Sequence, residues 1–414
     1  MSQLREYCPE GLLDDFDAFV GSLPEDPIGA SLSAMLDPPE IEAYRWNAQA
    51  LGHHDAGARI ADMDRDGVAC EVVFHSSANG QPLPFARHLA LRDRLSRRGD
   101  TDDGAAVELE QAGIRMFNRW LADYCSVEPA RHVGVCQLSM RDIDASIDDV
   151  VWAHEHGINA VNFPAPSSAL PTFDDPVWDR FFAVCAERGM VLDTHIGGGE
   201  QSLYAGFEPP AFSPVFMMEN PWLGRRGIWQ LIFSGVFDRH PDLRFVLTEL
   251  PGMWWDPTVR DMDAVFVNPM TRRVREFLAR KPSEYMATNV FMGASFQSRQ
   301  EAEMAIMTGH DTRLMWGSDY PHPEGTWMYS EHPATDPSLT RLSLANTFHD
   351  LPEAPIRRMT GENAIACFGL DDGALARVAE RIGPDLEDLQ REPDLSAVPE
   401  RYRGSGFRTI GAFG

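Results

Sequence analysis

The stretch Arg313-Leu-Met-Trp-Gly-Ser-Asp319-Tyr-Pro-His322-Pro-Glu-Gly-Thr-Trp327 runs an apolar segment into an aspartate and then into two prolines. Proline cannot donate to a sheet ladder, so Pro321 and Pro323 impose a loop and leave Asp319 at the end of a strand. In a barrel of parallel strands the carboxyl ends form the face where chemistry takes place.

Working outward, short apolar runs alternate with helical patterns from about Arg59 onward, the mark of βα units and a parallel sheet. Strands are expected to begin at Ala69, His132, Ile158, Met190, Leu243, Tyr285 and Arg313. Asp142 is placed to cap a helix that Gly157 stops, and Asp174-Asp175-Pro176 starts another. Further helices are expected over Gly113–Cys125, Gly227–Arg239, Arg299–Gly309, Leu339–His349 and Ala354–Phe368. The chain divides into an N-terminal arm (1–58), a barrel (59–370) and a C-terminal extension (371–414). Within the barrel, Arg92 to Glu110 reads as a solvated loop. The Gly/Phe-rich tail reads as a segment that docks on a neighbouring subunit or frays.

A formal net charge of −27 excludes polyanionic partners, nucleic acid and anionic membrane alike, and leaves a small molecule as the expected partner. The six cysteines are scattered without a CxxC pair, and no apolar run is long enough to span a bilayer. A reducing, cytoplasmic location is the expectation.

Four expected strands finish on residues able to bind metal or move protons: His75, His195, Glu249 and Asp319. Parallel strands bring such ends together although they lie far apart in the chain. Imidazole with carboxylate suits zinc, manganese or iron, and a bound metal makes water nucleophilic near neutral pH. The candidate metal ligands are His195, Asp319 and Glu249. The candidate catalytic residues are Asp319, Glu249, His75 and His322. Against each stands a plainer reading: Asp319 as a turn cap, His195 and His75 as histidines satisfied by local bonds, Glu249 as an ion-pair partner, His322 as a surface residue.

Trp316-Gly-Ser-Asp-Tyr-Pro-His-Pro-Glu-Gly-Thr, Asp193-Thr-His195-Ile-Gly-Gly, His240-Pro-Asp-Leu-Arg-Phe-Val-Leu-Thr-Glu249 and Gly361-Glu-Asn363-Ala together resemble the amidohydrolase-related superfamily, in its branch of aminocarboxymuconate-semialdehyde decarboxylase-like metal-dependent hydrolases. The resemblance runs from about Arg59 to Leu370. It implies a distorted TIM (β/α)8 barrel with one divalent metal, zinc by first expectation, and homo-oligomers. It also implies that His195 is the metal histidine of the fifth strand and Asp319 the metal aspartate of the eighth. Two departures stand out. Glu249 occupies the sixth-strand position where many relatives carry a histidine, and the first-strand His-x-His pair does not appear before Ala69. Either the chain is shortened, or the arm supplies a replacement, or the metal site has decayed. The expected function is a metal-dependent hydrolase of a small amide, ester or lactone. A metal-dependent decarboxylase of a small aromatic or unsaturated acid is the alternative within enzymes, and a metal-free binding protein or assembly subunit the alternative outside them.

Overall fold

The computed structural model describes residues 1–75, 80–86, 104–140, 142–197, 199–200, 206–250, 252–398 and 405–411. Its centre is a parallel seven-stranded sheet in sequential order: β1 (Glu71–Val73), β2 (His132–Cys136), β3 (Ala160–Asn162), β4 (Val191–His195), β5 (Arg244–Thr248), β6 (Val290–Ser295) and β7 (Leu314–Gly317). Helices surround it, giving a distorted α/β barrel whose two edges, among the described residues, are β1 and β7. No described helix is long and apolar enough to cross a membrane.

Alternation along the strands builds two apolar layers. Val133, Val135, Val191, Val246, Phe291 and Met315 form the inner cluster, closed from below by Cys367 and Phe368 of the helix Asn363–Phe368. The residues next to them in sequence, Leu192, Phe245, Leu247, Val290, Met292 and Leu314, face the helices instead. Period-2 projection puts each strand between both layers. Burial of each such side chain contributes roughly 1.5 to 3 kcal/mol.

Local signals account for most boundaries. Asp142 accepts a hydrogen bond from Ala145 N at 3.1 Å and caps the helix Ile143–Glu155, while Gly157 follows it at φ 80°. Asp175 accepts from Val177 N at 2.9 Å ahead of the helix Asp179–Glu187. All seven expected strands form, but the sixth begins later than its apolar run suggests. Glu284 accepts from Lys281 N at 2.9 Å and Pro282 opens a helix, Pro282–Thr288, so Tyr285 is helical and the strand starts at Val290. The helix expected from Gly227 begins earlier, running Phe212–Phe233 with Pro221 inside it.

The arm is built of short helices, with Leu13–Ser22, Pro27–Leu32 and Pro38–Asn47 as its α-helices before Ala56. Most of the expected solvated loop, residues 92–103, lies outside the described residues, and its end is already in the helix Gly104–Ser126. The tail docks on its own barrel: Phe407 is buried with Leu339 and Val398, and Arg408 is only 4% exposed.

Candidate active site

The sheet carries its chemistry past the carboxyl ends of β4, β5 and β7. Asp193 and His195 lie two residues apart on β4, in register with Val246 and Thr248 of β5. Glu249 follows β5 directly, its N–H donating to Gly293 O at 2.9 Å, and Asp319 lies two residues beyond β7. Both Glu249 (φ 58°) and Asp319 (φ 56°) adopt the left-handed region. For residues with a side chain this costs on the order of 1 kcal/mol or more and recurs at functional sites.

The Asp319 loop closes on itself. His322 N donates to Asp319 O at 2.8 Å, Gly325 N to His322 O at 3.1 Å and Thr326 N to Ser318 O at 2.9 Å. Glycine is required at 325, because a Cβ there would stand 2.4 Å from Ser318 O and 2.9 Å from Asp319 Cβ.

Here four sequence-predicted residues meet. Glu249, Asp319 and His322 each present a ligand atom within 4.8 Å of the others. His195 joins through Glu249, its Nε2 lying 3.1 Å from Oε2, and His322 Nδ1 lies 3.2 Å from Asp319 Oδ1. The fifth candidate, His75, lines the same cavity but is held to Gln81 O at 3.0 Å and lies edge-on to Phe117, apart from the cluster.

Three carboxylates, those of Glu249, Asp319 and Glu324, surround the buried His322. Burial alone would lower its pKa, yet the facing Asp319, helped by Glu324 and Glu249, drives it up to about 10. Burial and the repulsion of Glu249 push Asp319 up to about 7. Glu249 is itself buried, but the facing His195 holds it below the usual glutamate value, and His195 rises to about 9 in return. The carboxylates thus keep both imidazoles protonated, and a divalent cation bound here would take the place of those protons.

The donors fit a divalent metal on three counts. Asp319 Oδ2 is buried with no hydrogen-bond partner among the described residues. His195 Nδ1 lies 2.8 Å from Ile196 O and donates to it, which leaves Nε2, now 3.1 Å from Glu249 Oε2, as the nitrogen that would bind a metal once its proton is given up, the usual arrangement of a metal histidine. Imidazole with carboxylate is the donor chemistry of zinc, manganese and iron sites.

Sequence reasoning missed several residues around this cluster. Arg59, from the helix Ala56–Asp66, lies flat on the Tyr320 ring at 3.4 Å and donates from Nε to Glu71 at 2.7 Å. It lines the cavity, and among the described residues its hydrogen bond is made by Nε and not by the terminal nitrogens. Tyr44 donates to Glu324 at 2.6 Å and so ties the arm to the site. Asp193 accepts from Thr248 Oγ1 at 2.8 Å, has no partner for Oδ2 among the described residues, and is raised by burial to about 7. Its signal was present in the sequence, since position 193 shares a strand face with His195. The cavity holds about 1370 Å³ and is walled by Val72, Phe74, Tyr124, Trp316 and Tyr320 beside the charged groups.

The family model described as Amidohydrolase matches residues 80–370. Among solved structures, an amidohydrolase from Mycobacterium avium subsp. paratuberculosis superposes with a TM-score of 0.60 at 19% identity, over 85% of this chain and 82% of that one. A 2,6-dihydroxybenzoate decarboxylase from Rhizobium gives 0.53 at 19% identity, over 75% and 87%. A dihydroxybenzoic acid decarboxylase from Polaromonas, with bound manganese and the inhibitor 2-nitroresorcinol, gives 0.51 at 17% identity, over 87% and 94%.

Proposed function

From the premise that the chain is an enzyme of the amidohydrolase family, we propose that it is a divalent-metal-dependent decarboxylase of small aromatic acids. The observation that carries the reading is the pairing, in one cavity, of a carboxylate-bearing strand-end cluster with the anchored Arg59. A cluster rich in carboxylates calls for a cation. A guanidinium with N–H groups to spare in the same cavity calls for an anionic ligand, and a planar fork matches a carboxylate bidentately. The aromatic wall of Phe74, Tyr124, Trp316 and Tyr320 suits a flat ring between the two.

His195, Glu249, Asp319 and His322 would hold the metal. A divalent cation at this position supplies Lewis acidity that draws negative charge from the substrate's oxygen substituents. The chain's own groups do the rest. Arg59 orients the acid, held rigid by Glu71 and Tyr320. Cleavage of the bond between ring and carboxyl carbon leaves its electron pair on the ring and releases CO2. The ring carbon then takes one proton, for which the imidazolium of His322, kept charged by the facing Asp319 carboxylate, is the donor. The solved decarboxylases similar in fold support this reaction over the hydrolysis expected from sequence, and the manganese in one of them makes that ion the first to test ahead of zinc.

The test is product analysis. Protein loaded with manganese or zinc is incubated with hydroxylated benzoic acids and, separately, with amides, esters and lactones. Release of CO2 with the protonated ring as product supports the proposal. Hydrolysis of the second set without CO2 from the first would replace it with the hydrolase reading.

A further inference from the structure

The C-terminal tail reaches back to the loops that carry the site. Arg408 donates from Nη2 to Glu301 Oε2 at 2.5 Å, with both side chains 3% exposed or less. Glu301 sits in the first turn of the helix Arg299–Thr308, where its carboxylate also accepts from Ser298 N at 2.7 Å. Its other oxygen accepts from Gly252 N, three residues beyond Glu249. The Arg408 guanidinium lies 5.3 Å from the ring of Phe296, which leaves β6 at φ 42°. The neighbouring Gly406 presses on the Asp319 loop, since a Cβ there would meet Gly325 O at 2.2 Å. Ser343 and Asn346 bind the carbonyls of Gly406 and Phe407, and Gln300 N donates to Thr409 O at 3.1 Å, which fixes the tail in place.

We propose that this tail is a strap that positions the metal site, with Arg408 as its positioning residue, acting through Glu301 and Gly252 on Glu249 and through Gly406 and Gly325 on Asp319. Glu249 and Asp319 both stand in left-handed backbone at loop starts, so each needs outside support to hold its carboxylate in one place. A single docked segment supplies that support to both loops. Groups that orient ligands in this way commonly contribute tenfold or more to metal affinity.

The inference rests on the metal-site reading above. Its test is manganese binding to the full chain, followed by the EPR signal of free Mn2+ in wild type, Arg408→Ala, Arg408→Lys and Gly406→Ala, at a temperature where circular dichroism shows each folded. Arg408→Ala and Gly406→Ala are expected to weaken binding at least about fivefold, with Arg408→Lys recovering part of the loss. Should Arg408→Ala not fold, Gly406→Ala carries the test. Wild-type affinity in the folded variants overturns the strap alone and leaves the metal site standing. No manganese bound by the wild type, in the same titration with zinc as competitor, overturns the functional reading and the strap with it.

Discussion

His195 Nε2 lies 3.1 Å from Glu249 Oε2 across the ends of two adjacent strands, so the metal histidine implied by resemblance faces a carboxylate where many relatives carry a second imidazole. The swap changes the electrostatics of the site. An imidazole at 249 would add positive charge when protonated, whereas Glu249 adds a negative charge that a bound cation would balance.

Glu249→Gln keeps the shape and removes the charge. Manganese affinity is expected to fall about 10- to 100-fold, the range for loss of a ligand or its close support. Calorimetric titration of wild type and variant checks this, and equal affinities would place Glu249 outside the metal site.

Asp319→Asn is expected to abolish CO2 release, by about a thousandfold or more, because it removes both a metal ligand and the carboxylate that keeps the proton donor His322 charged. Far-ultraviolet circular dichroism should match wild type. Unchanged turnover would refute the assignment of Asp319.

Arg59→Lys keeps a cation but loses the flat stacking on Tyr320 and the Nε bond to Glu71. A rise in KM for an aromatic acid of about tenfold, larger than any fall in kcat, is the expected signature of an orienting residue. Arg59→Ala should in addition destabilise the fold by about 3 kcal/mol, since it leaves the buried Glu71 carboxylate with His132 alone to face it. Steady-state kinetics and urea midpoints separate the two effects.

His310 offers a pH dependence remote from the site. It stacks on Trp255, with ring centroids 5.6 Å apart, and burial lowers its pKa from 6.5 to about 4. The unfolded chain therefore binds a proton that the folded chain refuses between those values. Its contribution is fully present above the unfolded pKa and is lost as pH falls towards about 4, a change on the order of 2 to 3 kcal/mol. Urea unfolding of wild type and His310→Gln at pH 7 and pH 4 tests this. The variant should lose less stability on acidification, and an identical loss would count against the assignment.

The fold was legible in the sequence because the strands write themselves in apolar runs closed by proline or glycine. Asp319 before Pro321, His195 before Gly197 and Glu249 before Pro251 were found for that reason. The apolar run from Tyr285 misled because Pro282 and Glu284, just ahead of it, start a helix that extends into it, so local capping overrode strand character. Arg59 and Tyr44 were out of reach for a different reason. They reach the site from helices of the N-terminal half, and Tyr44 meets Glu324 across 280 residues of chain, a contact that no local pattern encodes. The tail was misplaced likewise: Gly404 to Gly414 gives no hint of Glu301, the buried partner that holds Arg408 against the barrel.

The central claim is that the His195, Glu249, Asp319 and His322 cluster works with Arg59 to decarboxylate a small aromatic acid. The most direct measurement is isotope-resolved gas analysis of manganese-loaded protein with hydroxybenzoic acids labelled with carbon-13 at the carboxyl group, wild type beside Asp319→Asn. The account predicts labelled CO2 from wild type and none above background from the variant. Labelled CO2 at equal rates from both, or none from a wild type that holds its metal and hydrolyses esters or amides, would contradict it.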